Sequence, residues 1–155
     1  MPDTEIFRNR FRGDRCRVEQ GIFFGDDQAW LVVSHAQADG SRVLQVTAQT
    51  DAPSLQAANP DGWVEIQASA LYPEEDLLVM AGPGERAGEG FIALVNLADD
   101  SLLWLIHLED SQAFLNVEIR DGVIHADSGA ESIEHHWRIP LDQPQKMVGQ
   151  KYAPG

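Results

Sequence analysis

The segment from Phe91 to Ile139 decides the fold class of this chain. Its β-rich runs are FIALVNLA (91–98), LLWLIHLE (102–109), FLNVEIR (114–120), VIHAD (123–127) and SIEHHWRI (132–139). The turn residues Asp99-Asp100, Asp110-Ser111-Gln112 and Asp121-Gly122 separate the first four runs. Short β-rich runs joined by such turn residues are typical of an antiparallel meander.

The first two runs are apolar on nearly every residue. A two-residue turn at Asp99-Asp100 would place Val95 opposite Trp104 on one face and Leu94 opposite Leu105 on the other. Strands that are buried on both faces belong inside a sandwich or barrel, so this hairpin is expected to be the middle of the core. The predicted core residues are Leu94, Val95, Trp104, Leu105, Val117 and Ile119.

A second hairpin is specified by Asp121-Gly122. This dipeptide supplies the residues with positive φ that a type I′ turn needs. The turn pairs Ile119 with Ile124 and places Glu118 beside His125 on the opposite face.

The remainder of the chain predicts a second meander and no long helix. GIFFG (21–25) and AWLVVSH (29–35) begin this meander, and DAPSLQAANPDG (51–62) holds at most a single helical turn that begins at Asp51. Because no segment of ten or more residues shows a clear 3.6-residue period, the chain is predicted to be all-β, a single β-sandwich or barrel. We expect one β domain over residues 1–139, with an arginine-rich edge strand or arm over 1–17 and an extended tail over 140–155.

Composition indicates a chain that needs no covalent cross-links. A length of 155 residues suffices for one domain with a sizeable core, and the single cysteine, Cys16, has no partner for an internal disulfide. The first 17 residues contain five arginines and no apolar run of the signal-peptide kind. A reducing, cytoplasmic setting is therefore the expectation.

The formal net charge of −14 is distributed unevenly along the chain. Residues 1–17 hold five arginines against three acids, whereas the remaining chain holds 22 acids against six bases. A body of this charge repels phosphate backbones and anionic membranes, and it attracts basic partners at rates that fall with salt. We therefore expect a basic protein partner, no nucleic acid and no membrane.

The histidines of the second half of the chain raise the question of a metal site. Neighbouring strand residues point to opposite faces, so His135 and His136 are not expected to bind one ion together. The prediction is therefore no metal and no cofactor. If a metal is held after all, its predicted ligands are His107, His125 and His136.

No catalytic residue is predicted. The chain lacks a Gly-x-Ser-x-Gly elbow, and Ser128 lies in an ordinary turn context. Cys16 is interpreted as a buried thiol, because the flanking Arg15 and Arg17 would point away from it on a strand. The glycine-rich stretch from Gly82 to Gly90 is interpreted as a mobile hairpin loop, since a strand follows it and Glu85 and Glu89 would repel an anion.

The candidate partner-binding surface combines one tryptophan with five acids. Trp63 follows a turn, and it is expected at the rim of the sheet next to carboxylates. The predicted partner-binding residues are Asp61, Trp63, Glu65, Glu74, Glu75 and Asp76.

These observations favour an acidic, non-enzymatic binding protein that docks onto a basic protein partner and inhibits or escorts it. In general character the chain resembles the small acidic immunity proteins with which bacteria neutralise basic toxins, which implies the role of an inhibitor. The alternative is a β-barrel that holds a small ligand or a metal ion through His107, His125 and His136. This alternative includes an enzyme that uses the bound ligand or metal. A structural module of a larger assembly is a third hypothesis.

Overall fold

The structure is a computed structural model that describes residues 5–152. Thirteen strands lie within this range and confirm the all-β class. They are β1 (Arg15–Arg17), β2 (Gly21–Phe24), β3 (Gln28–Ala36), β4 (Arg42–Asp51), β5 (Trp63–Glu65), β6 (Ala70–Glu74), β7 (Leu77–Pro83), β8 (Gly90–Asn96), β9 (Ser101–Leu108), β10 (Phe114–Arg120), β11 (Val123–Ser128), β12 (His135–Pro140) and β13 (Val148–Lys151). The helical elements are α1 (Ile6–Arg12), α2 (Ala52–Ala58) and a 3₁₀ turn at Pro144–Lys146.

Eleven of these strands form one antiparallel sheet in the order β10-β11-β12-β13-β4-β3-β2-β9-β8-β7-β6. The two edge strands, β10 and β6, lie against each other, so the sheet is a nearly closed barrel. The remaining strands, β1 and β5, pair with each other as a small separate sheet.

Two hydrophobic clusters hold the fold together. The first fills the barrel interior around the indole rings of Trp104 and Trp137, with Phe114 packed edge-on against Trp137. The second lies outside the barrel, where Phe23, Phe91 and Leu105 of the sheet meet side chains of α1, β1, α2 and β5. Strand β8 contributes to both clusters, which confirms that the Phe91 hairpin is buried on both faces. All six predicted core residues are buried.

The register predicted for the Phe91 hairpin is wrong. Asn96 pairs with Ser101, which leaves a four-residue turn, and a bulge between Leu94 and Val95 brings Leu94 opposite Trp104. The turn is longer because Asn96 Oδ1 accepts a hydrogen bond from the N–H of Ala98 at 2.9 Å. Such local side-chain bonds to the backbone favour a wider turn over the two-residue type.

The second hairpin agrees with the prediction. Ile119 pairs with Ile124 and Glu118 with His125 across the Asp121-Gly122 turn. Further along the pair, Asn116 has a φ of 54° and lies within a β-bulge.

The amino-terminal segment is not the predicted edge strand over its whole length. Residues 6–12 form helix α1, in which Phe7 and Phe11 are four residues apart and face the second cluster. The carboxylate of Asp27 accepts hydrogen bonds from the N–H groups of Ile6 and Phe7, both at 3.0 Å. This cap from a distant residue substitutes for the missing local one and stabilises the helix. Of the predicted edge strand, only β1 is therefore extended. Residues 1–4 of the predicted arm lie outside the described residues.

The predicted carboxy-terminal tail is also largely part of the fold. Strand β13 lies between β12 and β4 in the large sheet, and Met147 just before it is buried in the barrel. The indole N–H of Trp104 donates to the carbonyl of Leu141 at 2.9 Å. Without β13 the sheet would lose the link between β12 and β4, and so between its two halves. Residues 153–155 of the predicted tail lie outside the described residues.

Both helices are seven residues long. Helix α2 begins where predicted, because the Asp51 carboxylate accepts a hydrogen bond from the N–H of Ser54 at 2.8 Å and Pro53 lies in the first turn. Its length of seven residues is about two turns, so the predicted limit of a single turn is wrong. Among residues 5–152, no helix has the length and apolar character that crossing a bilayer would require.

Candidate functional site

The antiparallel order of the large sheet gathers alternate turns at the same end of the barrel. The connections β2–β3, β6–β7, β8–β9, β10–β11 and β12–β13 share one end with the last residues of β4. We call this the acidic end. Its exposed carboxylates are those of Asp26, Asp51, Glu74, Glu75, Asp76, Asp99, Asp100, Asp121 and Asp142.

Backbone conformation explains part of this concentration of acids. Glu75, Asp100 and Asp121 have φ values of 54°, 55° and 53°, in the left-handed region. Aspartate is among the few residues other than glycine and asparagine that adopt this conformation readily in turns. Turn chemistry therefore favours aspartate at positions 100 and 121 but does not account for Glu75, and the topology places these turns together. The exposed bases in the same connections and at their ends are Arg120 and Lys146.

The six predicted partner-binding residues do not form a single surface. Glu74 is the last residue of β6, and Glu75 and Asp76 form the β6–β7 turn at the acidic end. Glu65, whose side chain is 71% exposed, lines an open cleft of about 500 Å³ together with Glu85, just beyond the far end of β7. Seven strand residues separate these two places, a span of about 20 Å. Asp61 is exposed in the turn that precedes β5.

Trp63 is half-buried beneath two arginines. The guanidinium groups of Arg10 and Arg17 lie 4.8 and 4.9 Å from its ring centroid, and Phe7 contacts it edge-on. Trp63 therefore lies among positive charges, and it is not an exposed aromatic residue ringed by carboxylates. Sequence reasoning missed these contacts because the arginines precede Trp63 by 53 and 46 positions.

The fully buried Arg17 anchors the layer outside the barrel. Its guanidinium donates two hydrogen bonds to the Glu19 carboxylate, at 2.7 and 2.8 Å, and a third to the carbonyl of Asn59. Burial opposes ionisation of Glu19, but the hydrogen bonds and charge of Arg17 outweigh it. The pKa of Glu19 consequently lies below its ordinary value of 4.5.

The buried side chains of His107 and Glu89 lie next to the Arg17–Glu19 pair. His107 donates from Nδ1 to the carbonyl of Glu19, with 3.1 Å between the two atoms, so its Nε2 faces the buried Glu89 carboxylate at 3.6 Å. Burial, reinforced by the charges of Glu89 and Glu19, raises the pKa of the Cys16 thiol far above its usual range. A buried protonated thiol is a poor nucleophile, in agreement with the interpretation of Cys16 as a core residue.

Two histidines meet on the exposed outer face of the sheet. Nδ1 of His136 lies 2.8 Å from Oδ1 of Asp127, so this nitrogen carries a proton and donates it. In the tautomer in which Nδ1 carries the only proton of the His136 ring, Nε2 of that ring is an acceptor, and Nδ1 of His125 donates to it across 3.1 Å. Asn116 holds the other carboxylate oxygen of Asp127 at 3.0 Å. Burial first, and then the charge of Arg120, hold the pKa of His125 below its ordinary value of 6.5.

The structure thus brings together only two of the three alternative metal ligands. His107 belongs to the buried group with Glu89, whereas His125 and His136 lie side by side on the outer face. His135 contacts Trp137 and the carbonyl of Gly40, apart from the His136 contacts, as the strand alternation predicts. No set of three or more His, Cys, Asp or Glu side chains within residues 5–152 is arranged to hold a metal ion.

Comparison with known proteins adds no family to this description: no protein-family model and no curated protein matches the chain.

Proposed function

We propose that the protein is an acidic, non-enzymatic binding protein whose acidic end docks onto a basic protein partner and inhibits or escorts it. The observation that carries this proposal is the concentration of nine exposed carboxylates on neighbouring turns at one end of the barrel. The proposal keeps Glu74, Glu75 and Asp76 as binding residues and replaces Trp63 with the acids of the adjacent turns.

Electrostatics support docking at this end. Like charges within about 10 Å of one another repel at physiological ionic strength, and a basic partner relieves that repulsion as it binds. Clustered charge of one sign also accelerates encounter with a partner of the opposite sign. The acids stand on short turns between paired strands, so little conformational freedom is lost when they bind.

Two buried side chains favour binding over nucleophilic catalysis. Cys16 is enclosed in the second cluster with its thiol protonated. Ser128, which is 1% exposed, accepts a hydrogen bond from the Trp137 indole at 2.8 Å inside the barrel.

The alternative of a ligand within the barrel has less support. Trp104, Phe114 and Trp137 fill the interior, and Trp137 also packs against Gly149, where an added Cβ atom would lie 2.8 Å from the ring. Side chains that fill a small barrel leave its lumen as core.

The test compares charge reversal at the two ends of the barrel. Glu74, Glu75 and Asp76 are replaced by lysine in one variant, and Glu85, Glu109 and Glu131, exposed in connections at the opposite end, in a matched control. Wild-type protein captures partners from native extract at low and moderate salt, and the association rate of each variant with the purified partner is then measured.

We expect the acidic-end variant to associate more slowly and with a weaker salt dependence, while the control keeps most of the wild-type rate. Equal rates for all three proteins, or a greater loss in the control, would overturn the proposal.

A further inference from the structure

We propose that His125 and His136 form a binding site for a divalent transition-metal ion that prefers imidazole ligands, with Asp127 orienting the His136 ring. The site is independent of the proposed docking function, because it lies on the outer face of β11 and β12 and not in the turns of the acidic end.

The distance between the two ring nitrogens suits a shared metal ion. Nδ1 of His125 and Nε2 of His136 are 3.1 Å apart. With zinc–nitrogen bonds of about 2.0–2.1 Å, two ligands are separated by about 3.4 Å in a tetrahedral site and about 2.9 Å at adjacent corners of an octahedron. The observed separation lies between these values. For both lone pairs to converge on one ion about 2.05 Å from each nitrogen, each must point roughly 40° off the line that joins the two nitrogens, so both rings turn about their Cβ–Cγ bonds on binding.

Asp127 acts as a positioning residue for the ligand nitrogen. Because its carboxylate accepts the Nδ1 proton of His136, Nε2 of that ring is left with its lone pair. Asn116 fixes the carboxylate in turn. The hydrogen shared between the rings belongs to His125 Nδ1 in the metal-free state. On binding, that proton moves to Nε2 of His125, so the neutral ring keeps one proton and binds through Nδ1.

Rigid strands hold both ligands, and solvent reaches them. Asp127 and His136 are directly paired across β11 and β12, and the side chain of His136 is 37% exposed. With two protein ligands, the ion keeps water at its remaining positions and exchanges readily. We therefore expect binding to be seen when metal is added, even if none is retained through purification.

The charges around the site make a distinctive prediction. Glu118 and Asp127 favour a dication, whereas Arg138, paired opposite His125, opposes it. Arg120 forms an ion pair with Glu118 at 2.7 Å and offsets part of the Glu118 attraction. Replacing Arg138 with glutamine should therefore strengthen metal binding.

The experiment titrates the full chain with Zn²⁺ by calorimetry at neutral pH in a non-chelating buffer. We expect one ion per chain, loss of binding in His125→Ala and His136→Ala, and about 10–100-fold weaker binding in Asp127→Asn. Arg138→Gln should bind a few-fold more tightly. The controls His35→Gln and His135→Gln should match the wild type, and urea midpoints establish that each variant is folded.

A second measurement needs no substitution. Paramagnetic Ni²⁺ added to the wild-type chain should broaden the ring proton signals of His125 and His136 before those of the other histidines. Absence of Zn²⁺ binding at millimolar concentration, retention of binding in His136→Ala, or first broadening at His35 would each overturn the proposal.

Discussion

The two sides of the barrel's outer surface differ in what covers them. Over β2, β9, β8 and β7 the outer face is apolar and lies beneath the layer formed by α1, β1, α2 and β5. Over β11 and β12 the outer face is polar, and it presents Asp127, His125 and His136 to solvent. The outward-pointing side chains of one sheet thus pack against a second layer on one side of the barrel and are polar and partly exposed to solvent on the other.

Burial along single strands shows the same contrast. In β8 every residue from Gly90 to Val95 is buried, whereas in β11 buried residues alternate with partly exposed ones. A strand with two buried faces needs a second layer of protein, and here the amino-terminal segment supplies much of it. Substitutions should therefore disturb stability in the interior and on the covered side, and leave it nearly unchanged on the open side.

The largest effect is expected from Trp104→Ala, which removes a ring from the barrel interior that both sides share. We expect a loss of about 3–5 kcal/mol in the free energy of unfolding, because aromatic truncation leaves a cavity. The carbonyl of Leu141 also loses its hydrogen-bond donor. Urea denaturation measures the change, and a loss below about 1 kcal/mol would contradict the position of this ring.

The contrast between the sides could be predicted only in part. The continuous apolar run of 91–95 predicts burial on both faces, and the alternation in 123–128 predicts one exposed face. The identity of the covering layer could not be predicted, because Asp27 caps α1 from 20 residues away and Arg17 meets Asn59 across 42. Pairing of Glu118 with His125 was predictable from a two-residue turn, whereas the bulges that shift other registers depend on local side-chain bonds.

The acidic end was predictable only as a set of turns. Each acidic turn is visible in the sequence, but the strand order that places these turns at one end is a property of the complete sheet. The position of Trp63 beneath Arg10 and Arg17 likewise depends on the packing of α1 and β1 against β5.

The anchor of the covering layer should give the next largest effect. Arg17→Met keeps the apolar stem and leaves the Glu19 carboxylate without its partner. Breaking a fully buried pair costs about 3–5 kcal/mol, and we expect less here because the Glu19 side chain is 25% exposed. The double variant Arg17→Met/Glu19→Met should recover part of the loss. If the double variant is less stable than Arg17→Met alone, the ion pair with Glu19 is not the source of the stability that Arg17 contributes.

The same pair should make stability depend on pH. The folded-state pKa of Glu19 is lowered, so its contribution is present above the ordinary value of 4.5 and is lost as the pH falls through the folded-state pKa. Glu19→Gln should therefore be less stable than the wild type at neutral pH, with the difference shrinking in acid. Urea midpoints at several pH values measure this, and a difference that grows in acid would reverse the assigned sign.

On the open side, His136→Ala should change the free energy of unfolding by less than about 1 kcal/mol, since its hydrogen bonds to Asp127 and His125 lie at a partly solvated surface. The matched substitution on the covered side is His107→Ala, which removes a fully buried ring and leaves Glu89 facing a cavity. We expect the His107 variant to lose more stability by urea denaturation. If the His136 variant lost as much, the open side would also be structural.

The smallest effect on stability is expected at the acidic end. Reversal of Glu74, Glu75 and Asp76 changes exposed turn residues that contribute nothing to either hydrophobic cluster. The three lysines repel one another as the three acids do, but they face the acids of the neighbouring turns. This attraction is partly screened by salt, so it should shift the free energy of unfolding by no more than about 0.5 kcal/mol, in the stabilising direction. Residue 75 has a φ of 54°, and lysine has the same backbone strain there as glutamate. Backbone strain therefore does not contribute to the change in the free energy of unfolding. Urea midpoints at low and high salt give the measurement, and the gain should vanish at high salt. A destabilised variant would show that these acids hold the β6–β7 turn, and the docking surface would then have to be sought among the acids of the other turns.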